Sequence, residues 1–234
     1  MKKTDAIILA GGLGTRLRSV VTDRPKVLAP VNDKPFLDII LNFLTHFKRI
    51  DHVVLSLGYM AGKKVEEYEH RNIYPYNISF SIEEKPLGTG GGIKKALSLA
   101  KTESVLVLNG DSFVDVNIDE LFRFHMDHRA ALTMTIVEMD DACRFGRVVL
   151  GEDGRIIAFL EKESNKDESG YINAGVYVLE RILFDAIDAD VPLSLERDLM
   201  PSFLTKGIYG FPTKKEFIDM GTPESYRKAN QLFR

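Results

Sequence analysis

Two groups of residues in this sequence have the types and spacing for phosphate chemistry: glycines with cations near the start, and single aspartates beside glycine further on. The first group lies in Ala6-Ile7-Ile8-Leu9-Ala10-Gly11-Gly12-Leu13-Gly14-Thr15-Arg16-Leu17. A short apolar run there reads as a buried strand that stops at two glycines. Glycine lets the backbone approach a ligand closely, and successive N–H groups in such a turn form an anion-attracting concavity. Arg16 adds a guanidinium fork suited to phosphate oxygens. Pro25-Lys26 follows, nine residues beyond Arg16. The plainer reading is a backbone turn with a surface arginine. Two better-known patterns fail here. The Walker loop needs Lys-Ser/Thr after its last glycine, and the third glycine of Gly-x-Gly-x-x-Gly falls on Leu17.

The second group is Asp111, after Gly110 at the tip of an apolar strand, and Asp219, in Phe217-Ile218-Asp219-Met220-Gly221-Thr222-Pro223. Aspartate often caps a turn, but two strand-end carboxylates also suit Mg²⁺, which takes a few carboxylates plus phosphate oxygens. Leu87-Gly88-Thr89-Gly90-Gly91-Gly92 opens a helix whose backbone could lie flat against a base or sugar and whose N-terminus favours anions. Glu83 precedes this loop. A carboxylate accepts both donors of guanine's Watson–Crick edge, the ring N–H and the exocyclic amine, and repels the carbonyls of uracil and thymine. Glu84 is the alternative if the strand ends one residue later. Glu161-Lys162, at the end of another strand, would in isolation be a solvated pair.

Elements must bring these loops together. Strand-like runs at Ala6–Ala10, His52–Gly58, Ile78–Ile82 and Val105–Leu108 alternate with helical patterns at Pro35–Ile50, Gly62–His70, Thr89–Ala100 and Ile118–His128. This alternation predicts a Rossmann-like α/β fold, a mostly parallel sheet flanked by helices, with ligands at the carboxyl ends of its strands. The unusual loops all fall at those ends. Beyond residue 128 the texture turns β-rich. Ala131–Val137, Gly146–Leu150, Arg155–Leu160 and Tyr171–Leu179 read as strands, with a hairpin turn at Gly151–Gly154, and Ser194–Leu204 and Thr222–Phe233 as helices. Glu163–Gly170 reads as a polar loop. One domain over 1–234 is expected, with an α/β first half (about 1–128) and a β-rich second half (about 129–234).

Composition narrows the classes. The 234 residues are 44% hydrophobic and 28% charged, with net charge −3. Nothing points to a nucleic-acid surface. The single Cys143 allows no internal disulfide. No apolar run has membrane-spanning length and the start is no signal peptide, so a cytoplasmic protein without a membrane partner is expected. A homo-oligomer is compatible. The histidines at 46, 52, 70, 125 and 128 fall in no motif and read as structural.

The order Gly-Gly-x-Gly-Thr-Arg-Leu, spacer, Pro-Lys, then Gly-Asp and Ile-Asp-x-Gly-Thr-Pro resembles the sugar-phosphate nucleotidyltransferases, which join a nucleoside triphosphate to a sugar 1-phosphate and release pyrophosphate. The spacer departs from the family, with Arg18-Ser19-Val20-Val21 where Pro-Leu-Thr is frequent. The resemblance implies the nucleotide-diphospho-sugar transferase fold, with a nucleotide-binding half over about 1–128 and a sugar-binding half over about 129–234. It implies that Leu9, Ala10, Gly11, Gly12, Gly14, Thr15, Arg16, Lys26, Glu83, Pro86, Gly88, Thr89 and Asp111 hold the nucleotide. Arg16 would grip pyrophosphate, and Asp111 and Asp219 would hold Mg²⁺. Asn109, Gly146, Glu161, Lys162, Asn173 and Tyr177 would hold the sugar phosphate, with Lys162 on the phosphate. Arg16, Lys26, Asp111, Lys162 and Asp219 form the implied catalytic set. The resemblance runs to the last helix, so no further acyltransferase or assembly domain is expected. Gly14-Thr15-Arg16-Leu17-Arg18-Ser19-Val20, Asn32-Asp33-Lys34-Pro35-Phe36-Leu37 and Leu108-Asn109-Gly110-Asp111-Ser112-Phe113 look like the branch that uses GTP and D-glycero-D-manno-heptose 1-phosphate. The alternatives are a uridylyl- or other nucleotidyltransferase acting on a hexose, hexosamine or muramic acid 1-phosphate, or a catalytically silent relative that binds nucleotide sugars. A nicotinamide-dependent dehydrogenase is disfavoured by the failed glycine pattern.

Overall fold

The computed structural model describes residues 2–12, 25–58, 60–69, 73–142, 145–160 and 168–233. The first half builds β1 (Thr4–Ala10), the small hairpin β2 (Pro30–Val31) and β3 (Lys34–Pro35), α1 (Phe36–Leu44), β4 (Ile50–Leu57), α2 (Ala61–Tyr68), β5 (Asn77–Ile82), α3 (Gly88–Ala96), β6 (Ser104–Asn109), β7 (Ser112–Val114) and α4 (Ile118–Asp127). The second half adds β8 (Leu132–Met139), β9 (Arg147–Leu150), β10 (Ile156–Leu160), β11 (Gly170–Glu180), α5 (Met200–Phe203), β12 (Ile208–Thr213), β13 (Phe217–Asp219) and α6 (Pro223–Leu232).

The main sheet runs β10-β9-β11-β6-β1-β4-β5, with β8 pairing both β11 and β12. The segment β6-β1-β4-β5 is parallel throughout, as the strand–helix alternation predicts. β11 joins it antiparallel along β6. Antiparallel pairing continues into β8 and β9, and the β9–β10 hairpin forms at the expected turn. The two faces follow the period of two along a strand. Ala6, Ile8 and Ala10 of β1 enter one core with α1 and part of α4, whereas Ile7 enters another with α3, Tyr177, Phe184 and Phe203. Fully burying each of the two isoleucines contributes roughly 1.5–3 kcal/mol.

Three expectations change. The helical pattern read over Pro35–Ile50 ends at Leu44, and Ile50 opens β4 instead, because its buried side chain continues the strand. The helix read over Ser194–Leu204 is a π turn (Leu195–Leu199), a short α segment (α5) and a 3₁₀ turn (Leu204–Lys206) in succession. β7 and β12 had no strand reading at all: the first is three residues long, and the second contains Pro212. α6 starts as its sequence says, with Pro223 in the first turn and a capping box between Thr222 and Ser225. It packs back on the first half: the Tyr226 hydroxyl donates to the Pro30 carbonyl, and Asn32 donates twice to Asn230, its N–H to Oδ1 at 3.0 Å and its Nδ2 to the carbonyl at 2.9 Å.

Candidate active site

The two aspartates, 108 positions apart in sequence, are brought together by backbone pairing. β7 and β13 form a two-stranded antiparallel ribbon in which Asp219 faces Ser112 and Ile218 faces Phe113. The Met220 N–H donates to the Asp111 carbonyl at 2.8 Å. Phe113 locks the ribbon edge-on between Phe43 (5.3 Å) and Phe233 (5.1 Å). Lys26, in a 3₁₀ turn anchored by the buried Val27 and Leu28, reaches up between the carboxylates. Its Nζ lies 2.8 Å from Asp111 Oδ2 and 4.0 Å from Asp219 Oδ1. The lysine side chain is 11% exposed, whereas that of Asp111 is 48% exposed, so the cation is built in and the carboxylate remains open to a ligand. Two carboxylates near enough to share one ammonium can also converge on a hard divalent cation. No cluster of three or more His, Cys, Asp or Glu is found among the described residues. A pair completed by phosphate and water oxygens is the donor set Mg²⁺ accepts.

Asp111 stands on the wall of a cleft of about 550 Å³. Leu9, Gly11 and Gly12 enter it from the end of β1, and Ser56 and Gly58 from the end of β4. Glu83, Glu84, Lys85, Pro86, Gly88 and Thr89 come from beyond β5, and Asn109 from the end of β6. The cleft is thus the carboxyl edge of the four parallel strands, where such sheets bind ligands. Backbones are crowded at its base: a Cβ on Gly58 would lie 2.8 Å from the Gly11 carbonyl.

Sequence reasoning missed Lys64. It is completely buried, and its Nζ donates to the Ala10 carbonyl at 2.5 Å, fixing the last residue of β1 before the glycines. Burial pulls its pKa down to about 8, against the opposing charge of Glu83. The signal was available, since Lys64 lies on the same helical face as Ala61, Val65 and Tyr68.

Glu83 lines the cleft but is not idle. Its Oε2 accepts the Leu87 N–H at 2.9 Å and its Oε1 lies 3.4 Å from the Ser56 hydroxyl. It closes the turn that carries Glu84, Lys85 and Pro86, while each carboxylate oxygen keeps a second lone pair.

The glycine run needs a correction. Gly90, Gly91 and Gly92 are buried, and their flatness serves packing and not a base or sugar. A Cβ would meet Leu199 Cδ1 at 2.7 Å on Gly90, the Val191 carbonyl at 2.6 Å on Gly91 and Glu83 Oε1 at 2.9 Å on Gly92. Only Gly88, with φ +70°, and Thr89 reach the cleft.

On the second half's side, Asn173 sits at an irregularity of β11. Its Oδ1 accepts the Gly175 N–H at 2.9 Å and its Nδ2 donates to the Tyr177 hydroxyl at 2.6 Å. Tyr177, expected on the sugar, is wholly buried and so acts beneath Asn173. Burial first, then the nearby Glu196 charge, raises its pKa well above the usual phenol value. Asn109 lines the cleft, and its Oδ1 is buried with no hydrogen-bond partner among the described residues. Gly146 adopts φ +85° just before β9. Gly14, Thr15, Arg16, Glu161, Lys162, His70 and Cys143 lie outside the described residues, as does most of the Glu163–Gly170 loop.

The chain matches the Nucleotidyl transferase family over residues 5–234. It is 41% identical over 228 residues to the D-glycero-alpha-D-manno-heptose 1-phosphate guanylyltransferase of Aneurinibacillus thermoaerophilus, covering 97% of both chains. It is 36% identical to the mannose-1-phosphate guanylyltransferase of Mycobacterium tuberculosis, covering 97% of this chain and 64% of that one. Among solved structures, HddC from Yersinia pseudotuberculosis complexed with GMP-PN superposes with a TM-score of 0.85 at 35% identity, over 99% of this chain and 100% of that one. A strand-end cleft with Asp111 on its wall, joined through Lys26 to Asp219, together with these matches, settles the family: the chain belongs to the nucleotidyl transferases and has their nucleotide-diphospho-sugar transferase fold.

Proposed function

We propose that this protein transfers GMP from GTP to a sugar 1-phosphate, D-glycero-D-manno-heptose 1-phosphate, releasing pyrophosphate. The observation that carries the chemistry is the meeting of Asp111, Asp219 and Lys26 at the wall of the cleft. The similarity to guanylyltransferases of heptose 1-phosphate supports the choice of substrates. Glu83 supports guanine, as an acceptor for its two adjacent donors.

The transfer is a single displacement. An oxygen of the sugar's phosphate forms a bond to the α-phosphorus, and the bond from that phosphorus to the oxygen bridging the β-phosphate breaks. The attacking oxygen is already ionised at neutral pH, so no general base is required. What remains is positioning and neutralising two polyanions. Lys26 supplies a buried positive charge beside the carboxylates. Gly11 and Gly12 offer backbone N–H groups to the triphosphate. Asn109 and Asn173 orient sugar hydroxyls, and Gly146 offers its N–H. Arg16 is assigned to pyrophosphate, and Glu161 and Lys162 to the sugar and its phosphate. Asp111 and Asp219 are the residues that would hold Mg²⁺, which when bound supplies charge neutralisation between the phosphates. The single unit spanning 1–234 and a cytoplasmic setting belong to the same proposal. No described helix is long and apolar enough to cross a membrane.

The test is pyrophosphate release across GTP, ATP, UTP and dTTP, each crossed with heptose, mannose, glucose and N-acetylglucosamine 1-phosphates. GTP with the manno-heptose phosphate should give the highest kcat/KM. A preference for UTP or dTTP would replace this reading with the uridylyl- or thymidylyltransferase one.

A further inference from the structure

The turn that lines the nucleobase end of the cleft is shaped by residues more than a hundred positions away. Residues 191–199 lie against the start of α3 along their whole length. The Leu193 carbonyl accepts the N–H groups of Gly90 (2.8 Å) and Gly91 (3.2 Å), and the Leu193 N–H donates to the Leu87 carbonyl at 2.8 Å. A Cβ on Gly88 would lie 2.5 Å from that same Leu193 carbonyl. One side-chain link sits at the centre of this seam. The Thr89 hydroxyl donates to Glu196 Oε2 at 2.8 Å and accepts the Leu195 N–H at 2.8 Å. The Ser194 hydroxyl also donates to Glu196 Oε2, at 3.1 Å. Glu196 and Leu195 belong to the π turn, a helical irregularity frequent at functional sites.

We propose that Glu196 is a positioning residue of the nucleotide site: it holds Thr89, and with it the Gly88–Thr89 edge that lines the cleft. This rests on the nucleotidyltransferase reading of the cleft. A hydroxyl that both donates and accepts fixes its own orientation, so the Thr89 backbone is held at one place along the cleft. A carboxylate accepting two hydroxyls is a firmer anchor than a neutral acceptor. Glu196 touches neither substrate and acts through the residues it holds.

The experiment uses the full-length protein with Thr89→Val, Thr89→Ser, Glu196→Gln and the Thr89→Val/Glu196→Gln pair. Calorimetric Kd values for GDP and steady-state KM and kcat for both substrates are read together with thermal melts. Thr89→Val should raise the Kd for GDP and the KM for GTP about five- to tenfold while leaving the sugar 1-phosphate KM within twofold. Glu196→Gln should raise the Kd for GDP and the KM for GTP in the same direction, with the sugar 1-phosphate KM within twofold and kcat within about threefold of wild type. Thr89→Ser, which keeps the hydroxyl, should recover most of the loss. The double variant should be no worse toward GDP than the worse single, because both remove one link. Multiplying effects, or lowered melting temperatures with unchanged Kd and KM, would reduce Glu196 to an ordinary packing residue and overturn the proposal. If wild type binds GDP but makes no nucleotide sugar, the transferase reading falls while the GDP arm still tests the anchor. If wild type binds no GDP, both fall.

Discussion

The carboxylate ribbon and the base loop are both assembled from the two halves of the chain, but by different means. β7 and β13 meet through main-chain pairing and an Asp111–Met220 backbone bond. This pairing runs through the main chain and does not use the carboxylates of Asp111 and Asp219, which leaves those two side chains to be chosen for chemistry. The start of α3 meets residues 191–199 through missing side chains: Gly88, Gly90 and Gly91 leave no room there for a Cβ. The ribbon should therefore tolerate substitution structurally and fail catalytically, whereas the loop should fail first in stability.

The sharpest way to break this contrast is at the ribbon. Asp111→Asn and Asp219→Asn should each lower kcat at least about 10²–10³-fold, roughly 3–4 kcal/mol of transition-state stabilisation, with melting temperatures within a few degrees of wild type. Unfolding of either variant would mean that the carboxylates also hold the fold.

Next in size is a pH effect on the other side of the cleft. Burial holds the Lys64 amine at a pKa of about 8, below the 10.5 of unfolded lysine. Below pH 8 the folded state carries a buried charge, at a cost in stability. Between about 8 and 10.5 the folded amine has released its proton while the unfolded chain still binds it, so stability rises with pH across that window. Relative to Lys64→Met, wild type should gain on the order of 2–3 kcal/mol between pH 7 and 10. Urea denaturation at both pH values reads this difference directly. A flat difference would mean that the amine stays charged and that its bond to Ala10 dominates.

Gly91→Ala sharpens the claim about the loop. Its Cβ would lie 2.6 Å from the Val191 carbonyl, a backbone neighbour that cannot rotate away. The expected destabilisation is about 2 kcal/mol, seen as a lower urea midpoint, with kcat reduced far less than in the aspartate variants. An unaltered midpoint would show that residues 191–199 yield easily. The smallest effect concerns the base. Glu83→Gln should reduce the kcat/KM ratio of GTP over UTP about tenfold, roughly 1.4 kcal/mol for one charged hydrogen bond. An unchanged ratio in both Glu83→Gln and Glu84→Gln would leave the base to be read by backbone groups.

Much of this molecule was legible in its sequence, for local reasons. The strand–helix alternation gave a parallel sheet because β1, β4 and β6 bury both faces and the helices between them cover those faces. A site at the carboxyl edge followed, because every polar or glycine-rich departure from the apolar strands fell there. Gly11, Gly12, Asp111 and Asp219 stood out because each interrupts an apolar run where nothing local needs it. What the sequence could not display were relations between distant segments. That Lys26 lies between Asp111 and Asp219 depends on a ribbon whose strands are three residues long, too short for a periodicity. That Tyr177 supports Asn173 from beneath depends on an irregularity in β11. The glycines of α3 looked like a ligand surface because a glycine run reads the same whether a base or another part of the chain lies against it. The sequence by itself determined which residues have the types and spacing for chemistry and at which edge of the sheet the strand-end loops gather. Only the tertiary structure decided which neighbours neutralise, orient or crowd them, because those contacts join segments that no local pattern connects.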